Sequence, residues 1–186
     1  LTLDAASGGD RLSIRELADA VAGRGISVIA IGASYAAMLE TAYELRGAAE
    51  YLIASQDAAA LDGWEYHRFF SAFFAGERGS QDFADAAVDH FAELYETPGH
   101  ASISAIELGG VDAVFAALND LSAASSAAVS TEERRAEIRG AIFDDVAGFY
   151  QAPGNLSVDL AALGSYLGGA VEVAAADGAA LVDAVR

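Results

Sequence analysis

The sequence predicts an α/β domain built on a mostly parallel sheet. Three observations carry this. "ISVIAIG", residues 26–32, is a continuous apolar run rich in β-branched residues and bounded by glycine, as expected of a strand covered on both faces. From Ala36 the period changes, with Met38, Ala42 and Leu45 at helical spacing and Glu40, Glu44 and Arg46 on the polar side. "EYLIAS" then reads as a second short buried strand, so strand, helix and strand follow one another within about thirty residues, which defines a right-handed βαβ unit. The 186 residues suffice for one α/β domain spanning 1–186, and no linker-like stretch divides them.

The other elements follow in order. "LSIRELADAVAG" carries Ser13 as N-cap, Glu16 three residues later and Gly23 as a stop, which predicts a helix. The run 26–32 should be a central parallel strand, and the helix after it should end near Gly47. "QDAAALDGWEYHRFFSAFFAGERG" is a loop leading into an aromatic-rich helix, in a place where substrate contacts are usual. "SQDFADAAVDHFAELYETPG" places Phe83, Ala87, Phe91 and Leu94 on one helical face, with Pro98-Gly99 as its end. "ASISAIELG" is a third strand. Two helices are expected next, one with the stripe Val111, Val114, Phe115, Leu118 and Leu121, the other with Ile138, Ile142, Val146 and Phe149. Both should cover the sheet. "QAPGNLSVDLAALGSYLGG" reads as a turn into a short helix, and the Ala-rich tail from Val171 is helix-compatible.

Charge excludes several function classes. Acidic residues number 28 against 10 basic ones, every basic residue is Arg, and the net charge is −18. Such self-repulsion is tolerated best where salt screens it, so a halophile-type surface is expected, with an ordinary acidic protein as the alternative. Nucleic acid and anionic membranes are not expected partners, because both need a basic patch. No uninterrupted apolar run approaches the roughly 20 residues that span a bilayer. The absence of cysteine removes disulfides, thiolate metal sites and a Cys nucleophile. The opening "LTLDAASGGD" has no initiator Met, basic n-region or long apolar h-region, which predicts a cut or trimmed chain without a signal peptide.

Ser34 is the residue with chemical interest. It falls just past a buried strand and near an expected helix N-terminus, where free N–H groups would stabilise a developing oxyanion. The run G-A-S-Y-A departs from a G-x-S-x-G elbow at Ala36, and Ser is equally a favoured N-cap.

The stretch "GASYAAMLETAYELRGAAEYLIASQDAAALDGWEY" resembles the nucleophile region of the clostripain family of cysteine peptidases, which reads D-A-C-L-M, then L-E-x-A-Y-E, Y-x-x-x-S-x-E and G-W. Met38-Leu39-Glu40, Ala42-Tyr43-Glu44, Tyr51, Ser55 and Gly63-Trp64 match; Ser34 stands at the Cys position and Gly32 at the Asp position. "SGGDRLSIREL", "ISAIEL" and "LSVDLAAL" resemble further segments, so the likeness covers most of the chain.

This resemblance implies a caspase-like three-layer α/β/α sandwich, of which the chain is the C-terminal portion. The family His would then lie before residue 1, on a missing or separate chain, and an N-terminal fragment of the same precursor or another protein chain becomes the expected partner, with a peptide as ligand. No cofactor and no metal are implied. The family's Asp helps form an acidic pocket for a basic side chain, and Gly32 cannot; Asp62 is a candidate carboxylate for that pocket, or a solvated Asp in a turn. Ser55 and Trp64 complete the expected binding residues. The clustered changes at Gly32, Ser34, Tyr35 and Ala36 favour an inactive binding or assembly module. An Arg-directed endopeptidase seen as a processed chain with Ser for Cys, and a structural or surface protein of a halophile, are the alternatives. An extracellular or cell-surface location in a salt-adapted prokaryote is expected, with the cytoplasm as the other choice.

The remaining candidates are weaker. His67, His90 and His100 have no nucleophile at local spacing, and His90 with Glu93 on one helix face is a slight metal signal. Asn155-Leu156-Ser157 is a glycosylation sequon. The rings of Trp64, Tyr66, Phe69, Phe70, Phe73 and Phe74 read as core or as a face meeting an N-terminal half, and alternatively as a peptide-binding wall.

Overall fold

The computed structural model describes residues 2–59, 63–67, 70, 74, 79–95, 102–142, 147–152, 155–171 and 174–185. The chain forms two compact units, Leu1–Val111 and Asp112–Arg186.

The first unit opens with a hairpin of β1 (Thr2–Asp4) and β2 (Asp10–Leu12). Helix α1 (Ile14–Val21) starts where its sequence says it should. The Ser13 hydroxyl accepts the Glu16 N–H at 3.2 Å, and the Ser13 N–H donates back to the Glu16 carboxylate at 2.8 Å. Those Ser13 donors, backbone N–H first and hydroxyl second, hold the Glu16 carboxyl below its ordinary pKa.

The sheet runs β3 (Val28–Ile31), β4 (Tyr51–Ala54), β5 (Ser104–Glu107). β3 and β4 are parallel, with Ile29 opposite Leu52 and Ile31 opposite Ala54, whereas β5 joins β4 antiparallel, with Ile106 opposite Leu52. The α/β class therefore holds with a mixed sheet. β4 is its central strand; β3, expected in the centre, is paired only on its β4 side among the described residues, and its Ala30 is exposed.

Pleating sorts the side chains by period two. Ile29, Ile31, Leu52 and Ala54 point to one face and pack with Ala42 and Leu45 of α2 (Leu39–Leu45), with Leu108 and Val111, and with Leu17 and Val21 of α1. Ile53 points the other way, with Val28 and Tyr51, against Ala84 and Ala87 of α3 (Ser80–Leu94). Helices thus lie on both faces of the sheet. Leu52 and Ile53 are fully buried, and each such side chain contributes about 2 kcal/mol of transfer free energy. Burial, then the nearby charges of Glu107, Asp85 and Glu50, push the Tyr51 phenol up.

The second unit contains α4 (Val111–Ala128, whose first residue closes the first unit), α5 (Glu132–Ala141), a hairpin of β6 (Ala147–Ala152) with β7 (Asn155–Val158), α6 (Leu160–Ala170) and α7 (Ala175–Ala184). The hairpin corrects the helix expected to run through Phe149. Aromatic Phe149 and Tyr150 before Pro153-Gly154 are strand and turn signals that the helical spacing of Ile138, Ile142 and Val146 obscured. Helices α6 and α7 pack through glycines: a Cβ at Gly164 would sit 2.8 Å from the Gly178 carbonyl oxygen, and one at Gly178 would collide with the Gly164 carbonyl oxygen.

Candidate functional site

The loops leaving the C-terminal ends of parallel strands β3 and β4 are tied together by three hydrogen bonds. The Tyr35 N–H donates to the Asp57 carbonyl at 3.0 Å, the Ala37 N–H to the Ser55 carbonyl at 2.9 Å, and the Ala59 N–H to the Ser34 hydroxyl at 2.9 Å. Such loop pairs are where open α/β sheets hold ligands. Ser34 is exposed and lies in a turn, and Tyr35 after it adopts a left-handed φ of 57°, a conformation costing a residue with a side chain roughly 1–2 kcal/mol.

Two expectations for Ser34 change. It is not a helix cap: Met38 is the N-cap of α2, with no side-chain bond, and the helix starts at Leu39. The helix N-terminus therefore begins at Leu39 rather than next to Ser34 in the chain. The start is late because Ala36 and Ala37 are buried in the core and the Ala37 N–H is committed to β4's end. Among the described residues no hydrogen bond joins Ser34 to a histidine or a carboxylate, and a neutral serine without a base is a poor nucleophile.

Ser55 is 5% exposed and faces the backbone. Its hydroxyl donates to the Asp57 carbonyl at 2.8 Å and lies 3.1 Å from the Ser102 hydroxyl, which in turn accepts the N–H groups of Gln56 (3.1 Å) and Asp57 (3.0 Å). Ser55 braces the loop whose Ala59 N–H meets the Ser34 hydroxyl. Ser102 shares that work. Nothing near Ser102 in the sequence signals it, since its partners lie 45 to 47 residues earlier.

Gly32 is exposed and its φ lies outside the left-handed region, so the backbone does not require glycine there. A Cβ on Gly32 would stand 3.6 Å from the Tyr66 hydroxyl oxygen. A phenol thus occupies the neighbourhood of the missing side chain. Trp64 packs half-buried against the Ile53 cluster, with its ring 5.8 Å from that of Tyr66. Asp62, His100 and Pro98-Gly99 lie outside the described residues. His67 is exposed beside Tyr66, and His90 sits on α3. Among the described residues no three His, Asp or Glu side chains gather as a metal site, and no helix is long and apolar enough to cross a membrane.

The sequence matches the Peptidase_C11 clostripain family over residues 1–179. The chain belongs to the clostripain family. Solved clostripain-type structures share its fold at low identity. An inactive zymogen C11 protease from Parabacteroides distasonis is 20% identical, with a TM-score of 0.65 over 92% of this chain and 45% of that one. A clostripain from Bacteroides thetaiotaomicron in complex with a peptide inhibitor is 19% identical, TM-score 0.51, over 60% of this chain and 49% of that one. A secreted C11 cysteine protease from the same organism is 21% identical, TM-score 0.50, over 60% and 32%. The chain therefore spans half or less of these relatives. Among curated proteins none matches it.

Proposed function

We propose that this clostripain-family chain is a catalytically inactive homologue that binds peptides or assembles with other chains through the exposed loop at Gly32 and Ser34. One observation carries the reading: the loop in the nucleophile's place presents a serine whose hydroxyl accepts the Ala59 N–H, beside a glycine where the resemblance calls for a carboxylate. A thiolate attacks a carbonyl far better than a neutral hydroxyl, and the chain has no thiol. The test is hydrolysis of fluorogenic Arg, Lys and Phe peptides by the full-length protein, with and without Ser34→Cys. No turnover in either form is expected; cleavage by the unaltered protein overturns the reading.

The strained Tyr35 next to Ser34 favours one alternative, an endopeptidase whose His lies on an N-terminal segment, because strain collects at working sites. Appearance of Arg-directed cleavage only with Ser34→Cys supports it.

An N-terminal segment is proposed to pair along the side of β3 that has no partner strand among the described residues, supported by the exposed Ala30 and by the Parabacteroides distasonis zymogen, of which this chain covers 45%. Co-expression of the two parts should give co-elution, and separate elution would sink the idea. The charge of −18 and a secreted relative support a place outside the cell or on the surface of a salt-adapted prokaryote.

A further inference from the structure

The second unit carries a cavity of about 700 Å³, inside the roughly 300–1,000 Å³ range of small-molecule sites. Helices α4, α5 and α6 line it, together with Val158 of β7. Its floor is apolar: Leu121, Val129, Ile138 and Leu167, each at most 8% exposed, come from the three helices and the connection between α4 and α5. Its rim is polar and follows helical spacing. Ser122 and Ser126 stand one turn apart on α4, Arg135 and Arg139 one turn apart on α5, and all four are exposed.

Two details set this cavity apart from a gap in packing. Ser125 lines it with a hydroxyl oxygen that is buried and has no hydrogen-bond partner among the described residues, an arrangement that costs stability unless a ligand meets it. The chain has 28 acidic residues against ten arginines, yet the described lining holds two arginines and no carboxylate. At a net charge of −18 the surface at large repels anions, so an anion is held here only by local positive charge. Arg135 is partly engaged, its Nε donating to the Val129 carbonyl at 3.2 Å and its guanidinium 3.9 Å from Glu132. Arg139 extends the positive edge by one turn.

We propose that this cavity binds a fatty acid, with the ionised carboxylate at the arginine rim and the alkyl chain on the apolar floor. A guanidinium meets a carboxylate with parallel N–H donors, and the arginine stems lengthen the apolar lining. The Ser125 hydroxyl supplies a further donor. A peptide needs partners for its backbone groups as well, and the floor side chains offer none. The site lies wholly in the second unit, so it stands whether or not the loop at Gly32 and Ser34 takes peptides.

The test is isothermal titration calorimetry of the full-length protein with sodium dodecanoate below its micelle concentration. One molecule should bind per chain. Decanoate should bind about fifteenfold more weakly, since each buried methylene is worth about fourfold, and uncharged dodecanol about tenfold more weakly than dodecanoate. Arg139→Gln, at an exposed position that leaves the fold intact, should weaken dodecanoate about tenfold and leave dodecanol unchanged. Ser125→Leu, which fills the cavity and removes the unpartnered hydroxyl, should abolish binding and raise the melting temperature. Equal binding of dodecanoate and dodecanol, or indifference to Arg139→Gln, overturns the proposal, and so does butyrate binding as tightly as dodecanoate. Absence of binding overturns it too, and a higher melting temperature for Ser125→Leu in that case marks the cavity as a gap in packing.

Discussion

Gly178 in α7 and Gly32 after β3 both lack a side chain, yet their surroundings treat the two positions differently. Around Gly178 the backbone atoms of Gly164 and Gly168 fill the space a Cβ would take, so the residue is there to let α6 and α7 touch. Around Gly32 the nearest atom to a Cβ is a side-chain hydroxyl at ordinary van der Waals distance, and the backbone imposes nothing. The first glycine belongs to the fold. The second, free of any packing duty, is open to a functional explanation, and that contrast gives the site at Gly32 its weight.

Substitutions sharpen the contrast, and the largest sets the scale. Leu52→Ala, in the fully buried centre of the sheet, should cost about 3 kcal/mol in denaturant unfolding, a true core defect. Gly178→Ala should cost about 2 kcal/mol through forced separation of the two helices, measured by thermal melting; a neutral result would remove the structural reading of that glycine. Ser13→Ala should cost about 1 kcal/mol by breaking the cap of α1. The same cap gives a pH signature. Because the folded Glu16 carboxyl is held below its unfolded value, its contribution is complete above the ordinary carboxylate range and fades as pH falls through the lowered folded value. Glu16→Gln should flatten that acid limb. Gly32→Ala should stay within about 0.5 kcal/mol of the starting stability by the same melts, and a larger loss would put it in the class of Gly178.

What the sequence revealed follows the range of the interactions involved. Helix α1 was readable end to end, since Ser13, Glu16 and Gly23 act within one or two turns. The β3–α2–β4 unit was readable too, because its alternation of apolar runs is strong and local. The direction of β5 was not: it depends on how the chain travels between Ala54 and Ser104, which no periodicity encodes. The β6–β7 hairpin was hidden because Ile138, Ile142, Val146 and Phe149 mimic a helical stripe. At the site, Ser34 and Gly32 stood out, but the approach of Tyr66 to Gly32 and the bracing of Ser55 by Ser102 join residues dozens of positions apart, and only folding displays them.

The three bonds that tie the β3 and β4 loops also fix how they move. Tyr35, Ala37 and Ala59 lend their N–H groups across the seam in different directions, so neither loop can open while the other stays shut. Their amide protons should exchange with solvent together, at one shared opening free energy, as a single cooperative unit. A ligand gripping either loop would slow exchange in both.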